Sequence, residues 1–106
     1  MARYLFIGRY TAEGAKGLLR EGGSGRLDAA RQVVESVGGS LESLYWGFGK
    51  DDFYAIGDLP SHAAATAASL KISSSGSSRV RTIPLMTAED IDAATKLSPS
   101  FRPPGA

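Results

Sequence analysis

The chain carries a single histidine, His62, and no cysteine. That inventory excludes thiol nucleophiles, disulfides and Cys-ligated zinc. A metal centre would need the one imidazole and several converging carboxylates, and Asp51, Asp52 and Asp58 are too scattered about a hairpin to supply them. No metal or other cofactor is therefore expected, and a haem would find its usual axial ligand only in His62. A neutral imidazole at His62 could act as a general base, with Asp58 the other candidate. The plainer role for His62 is that of a first-turn helix residue with no chemistry to perform. Ser61 adjoins His62, but adjacency in sequence does not make a triad, and no Gly-x-Ser-x-Gly elbow exists.

Two further constellations could bind. Gly22-Gly23-Ser24-Gly25-Arg26 can turn backbone N–H groups toward an anion at a helix start, so Gly23, Ser24, Gly25 and Arg26 form a candidate anion site. It lacks the Gly-Lys-Ser/Thr of a P-loop and the third glycine of a dinucleotide fingerprint. Glycine's freedom to adopt positive φ makes a bend in a helix the competing explanation. The second constellation is Tyr45, Tyr54, Asp58 and Arg81. Tyrosine hydroxyls and a guanidinium on one sheet face could orient a phenol, quinone or carboxylate. The same residue types are enriched at subunit interfaces, with Arg81 then paired to Asp58 or to a partner's acid.

The elements that must position these residues follow from patterning. Tyr4 to Tyr10 reads as a strand, closed by Thr11 as a helix N-cap. A helical stripe through Ala15, Leu18 and Leu19 is broken or sharply bent at the Gly22–Gly25 cluster. It resumes with Leu27, Ala30, Val33, Val34 and Val37 on one face. Ser40 to Phe48 and Asp52 to Leu59 form a hairpin about Gly49-Lys50-Asp51. With Phe48 opposite Phe53, Trp46 falls opposite Ala55 and Leu44 opposite Gly57 on an apolar face. Tyr45, Tyr54 and Asp58 share the other. An alanine-rich helix spans about His62 to Ile72, a strand Val80 to Leu85, and a capping box at Thr87-Ala88-Glu89-Asp90 starts a last helix. Pro99, Pro103 and Pro104 end helical structure, leaving residues 98–106 as an extended tail.

The order β-α-β-β-α-β plus a helix predicts an α+β, ferredoxin-like domain. Its antiparallel sheet runs 4-1-3-2, with both long helices on one face. The opposite face, bearing Tyr45, Tyr54 and Phe6, is then open, and a second copy is the simplest cover. At 106 residues the chain has room for one domain, 1–106. With 12 basic against 11 acidic residues and no basic stripe, neither nucleic acid nor an anionic membrane is an expected partner. No apolar run reaches the ~18 residues of a membrane span. The start runs directly into a strand without a signal-peptide pattern, so the expected location is cytoplasmic.

The chain also resembles the GYD-domain family of small bacterial proteins. The resemblance is carried by Gly8-Arg9-Tyr10-Thr11, Lys16-Gly17-Leu18-Leu19, Glu21-Gly22-Gly23 and Glu35-Ser36-Val37-Gly38-Gly39. Asp58-Leu59-Pro60, Arg79-Val80-Arg81-Thr82 and Arg102-Pro103-Pro104-Gly105 continue it to the C-terminus. It implies a dimeric α/β barrel and no particular reaction. The motif that names the family resembles Gly-x-Tyr-Asp, and here that stretch is Gly49-Lys50-Asp51-Asp52, with Asp51 in the aromatic position. The function expected is that of a homo-oligomeric barrel, structural or binding a small molecule. The alternative is a cofactor-independent oxygenase or isomerase acting on a small aromatic or unsaturated carbonyl compound, with His62 or Asp58 as base and Tyr45 or Tyr54 holding the oxygen.

Overall fold

The computed structural model describes residues 1–106. In chain order the elements are β1 (Ala2–Tyr10), α1 (Ala12–Ser36), β2 (Ser40–Trp46), β3 (Phe53–Leu59), α2 (His62–Ser74), β4 (Ser78–Pro84) and α3 (Ala88–Thr95). The strands form one antiparallel sheet in the order β2-β3-β1-β4, which is the expected 4-1-3-2 read from its other edge.

Each helix begins where a hydroxyl can satisfy an orphan N–H. Thr11 accepts from Gly14 N–H, Ser61 from Ala64 N–H and Thr87 from Asp90 N–H; Asp90 reciprocates to the Thr87 N–H, completing the capping box. Inside α1 the chain leaves helical geometry at Gly22, with φ 78° and ψ 173°, and then resumes. That is the expected bend, at a conformation a side chain would strain.

α1 and α2 cover one face of the sheet. Tyr4, Phe6, Val34, Ala55, Leu59 and Ala65 make the buried core there. Phe6 is thus a core residue and not part of the open face, contrary to expectation. Tyr4-Leu5-Phe6-Ile7 is apolar at every position, so alternation alone does not say which parity turns toward the helices. Small Ala55, directly opposite Phe6 in the β1–β3 ladder, sits on that covered face with it.

The β2–β3 register is also corrected. Trp46 pairs with Phe53 and Leu44 with Ala55, two residues from the expected alignment. A slip of two preserves every side chain's face, so Tyr45 and Tyr54 remain on the side away from the helices. The tight three-residue turn gives way to a longer loop, Gly47 to Asp52, because the loop is bound to its surroundings. Gly47 N–H donates to the Asp52 carbonyl at 3.1 Å, and Asp52 N–H to the Gly8 carbonyl at 2.8 Å. The Asp52 carboxylate accepts the Tyr10 N–H at 2.8 Å. A bulge between Leu41 and Ser43 resets the alternation, so that Leu41 and Leu44 both turn to the helices.

Candidate functional site

On the covered face the helices do not close completely on the sheet. A cavity of about 130 Å³ remains between them. Its floor is Phe6, Leu44, Ala55 and Val80; its roof is Ala30, Val33 and Val34 from α1 with Ala68 and Ile72 from α2. Alanines on both helix faces stand over an alanine in the central part of the sheet, and small residues opposed to small residues leave space. The lining is almost wholly apolar, and the polar groups are Tyr10, Ser78 and Arg26. The Tyr10 hydroxyl accepts the Trp46 indole N–H at 2.9 Å, while Arg26 is held by the Glu21 carboxylate at 3.2 Å. Such a space can take up a compact apolar molecule by dispersion and desolvation. Its one charged side chain, Arg26, is already paired with Glu21.

Arg26 is the one predicted site residue that borders this cavity. Its partner Glu21 lies against Gly25 so closely that a Cβ there would meet the Glu21 Cγ at 2.5 Å. The bend at Gly22–Gly25 therefore already brings a carboxylate of the same chain to the guanidinium. Gly23 packs by the Trp46 ring and Ser24 is exposed.

The other predicted residues lie elsewhere. Tyr45 pairs with Tyr54, Tyr54 with Ile7, and Ile7 with Arg81, so the two tyrosines and the arginine stand in one row across all four strands, on the face without helices. The adjoining row is Ser43, Ile56, Leu5 and Ile83. Asp58 shares this face but lies level with Arg3, four residues along β1 and roughly 13 Å from the tyrosine row at the usual strand rise. It pairs with Arg3 at 3.7 Å, and Arg3 also contacts Glu42. Arg81 does not pair with Asp58. Its partner is Asp51, at 3.0 Å, whose side chain is only 13% exposed.

His62 opens α2, and its Nδ1 shares a hydrogen bond with the hydroxyl of core residue Tyr4. Tyr4 and Asp58 project to opposite faces of the sheet, so His62 and Asp58 do not converge on one site. No three His, Asp or Glu side chains come together in a metal-binding group.

Residues 4–95 match the GYD domain. The chain belongs to the GYD-domain family. No curated protein and no solved structure matches it. In this GYD domain the stretch Gly49-Lys50-Asp51-Asp52 lies in the loop that fastens β2 and β3 to the end of β1. Asp52 binds backbone and Asp51 turns inward to Arg81. Asp51 is thus an ion-pair partner.

The cavity escaped the sequence reading. Its signal was present in Ala29-Ala30 and Ala68, small residues at inward helical positions, together with Ala55 in a strand. Only their meeting across the helix–sheet layer makes them a lining. No helix is long and apolar enough to cross a membrane.

Proposed function

We propose that this GYD domain is a homodimeric α/β barrel that holds a small, predominantly apolar ligand between its sheet and its helices. The observation that carries the reading is the apolar cavity under α1 and α2. At about 130 Å³ it is comparable to apolar cavities that stay dry and admit a benzene-sized guest. Tyr10 and Ser78 at its lining offer a ligand one or two polar contacts, enough to orient it. The dimer is supported by the second sheet face, where exposed Ile83, Tyr45 and Tyr54 and half-buried Leu5 and Ile56 form an apolar and aromatic surface that no helix covers. Tyr45, Tyr54 and Arg81 then serve the interface, and Asp58 with Arg3 its rim.

The test is a titration of the ¹⁵N-labelled protein with indole and benzene, followed by NMR. Shifts concentrated at Val33, Leu44, Ala68 and Val80, and abolished by the cavity-filling substitution Ala30→Phe, are expected. Shifts confined to the other sheet face, or unchanged by Ala30→Phe in a folded variant, would remove the cavity as the site. Native mass spectrometry of the same sample reads the assembly, and an even subunit number is expected.

A further inference from the structure

Beyond Pro84 the chain has no place on its own body. Leu85 N–H donates to the Arg3 carbonyl, and from Met86 onward every hydrogen bond is local to the arm. Every residue from Ile83 to Ala106 is exposed, including Leu85, Met86, Ile91, Leu97 and Phe101. The Cα radius of gyration is 16.9 Å, against about 13 Å for a compact chain of this length. Yet the arm is structured: α3 has a complete capping box and its own helical turns. Helices this short are marginal in water without a packing surface, so the apolar stripe of Ile91, Ala94 and Leu97 requires one.

Charge indicates what that surface is. Arg9 and Arg79 stand directly opposite one another in the β1–β4 ladder, and neither has an acidic partner in the chain. Like charges so placed repel. The first turns of α3 carry Glu89, Asp90 and Asp92, none of them in an ion pair. The arm leaves β4 at Pro84, the end opposite Arg79. When two bare sheet faces meet with their strands running oppositely, the Pro84 end of one β4 lies over the Arg79 end of the other.

We propose that residues 85–106 form an exchanged arm, each copy laying α3 along the rim of its partner with the acidic first turns beside Arg9 and Arg79. This rests on the face-to-face dimer proposed above and adds its clasp. The apolar side of α3 then meets the partner's exposed Tyr54 and Tyr45, in the row next to the arginine pair, and the arginine pair gains counter-charges.

The cysteine-free chain makes the test direct. Two full-length variants, Ala93→Cys and Arg79→Cys, are mixed, equilibrated and treated with a short bis-maleimide, with one variant ¹⁵N-labelled so that mass spectrometry distinguishes the chains. The expected product is a covalent heterodimer linking residue 93 of one chain to residue 79 of the other. The charge swap Arg9→Glu/Arg79→Glu should weaken dimerisation at least tenfold, and adding Glu89→Arg/Asp92→Arg should restore it. A dimer by sedimentation with no interchain link and no rescue overturns the exchanged arm while leaving the face-to-face dimer. A link formed only within the single chain of a double variant also overturns it. A monomer at every concentration overturns both.

Discussion

Tyr4 and Tyr45 occupy the two faces of the same sheet, and their circumstances differ completely. Tyr4 is 2% exposed, packed in the core with its hydroxyl bonded to His62, whereas Tyr45 is 70% exposed and its hydroxyl makes no bond within the chain. The covered face resolves every demand its residues make: no buried side-chain polar atom lacks a partner. The bare face leaves an aromatic row, an aliphatic row and an arginine pair unresolved. A sheet whose two faces both carry large side chains, with helices for only one, leaves one layer of the usual packing unfilled within the chain, and the proposed dimer would fill it. The contrast places the proposed ligand cavity and the proposed dimer surface on opposite sides of one sheet.

That contrast can be broken most forcefully on the covered face. Phe6→Ala should lower unfolding free energy by about 3–5 kcal/mol, read as a fall in the urea midpoint, and should enlarge the cavity enough to admit bulkier guests. A loss below ~1 kcal/mol would show that this face is not the organising core. Gly14→Ala should come next. Its Cβ would approach the Ser77 carbonyl oxygen to 1.9 Å, a backbone atom that cannot rotate away. Overpacking of this kind typically costs about 1–3 kcal/mol, measurable by the same denaturation. The cap of α2 is worth less: Ser61→Ala should lose about 1 kcal/mol, and hydrogen exchange should show it as fraying confined to the first turn of α2.

The bare face should answer differently. Ile56→Thr with Ile83→Thr keeps strand-forming residues while removing apolar surface. It should leave the stability of the dissociated chain within about 0.5 kcal/mol yet shift sedimentation equilibrium toward monomer. Comparable destabilisation of the isolated chain would mean that this face is structural within one copy, and would erase the distinction between the two sides.

Much of the fold was legible before any coordinates. Thr11, Ser61 and Thr87 announce helix starts because a short hydroxyl followed by helix-forming residues satisfies a local need. Gly22-Gly23 announces a bend because backbone freedom is a property of the residue itself. Strand order followed from element order, since few connections suit β-α-β-β-α-β. The site was less legible. Phe6 was misplaced because a strand apolar at every position carries no parity. The hairpin register slipped by two because Asp52's bonds to Gly8 and Tyr10, which lengthen the loop, join residues far apart in sequence. Arg81 found Asp51 rather than Asp58 because the sheet sets those two carboxylates at different ends of one face.

The sequence by itself determined the caps, the bend, the order of strands and the sharing of one face by Tyr45 and Tyr54, all of which depend on neighbours within a few residues or on period-two alternation. Only the tertiary structure decided which parity of β1 meets the helices, where alanines from two helices leave a cavity, and that the last segment lies off the body. Those outcomes depend on distances between elements, and a linear pattern of residue types does not contain them.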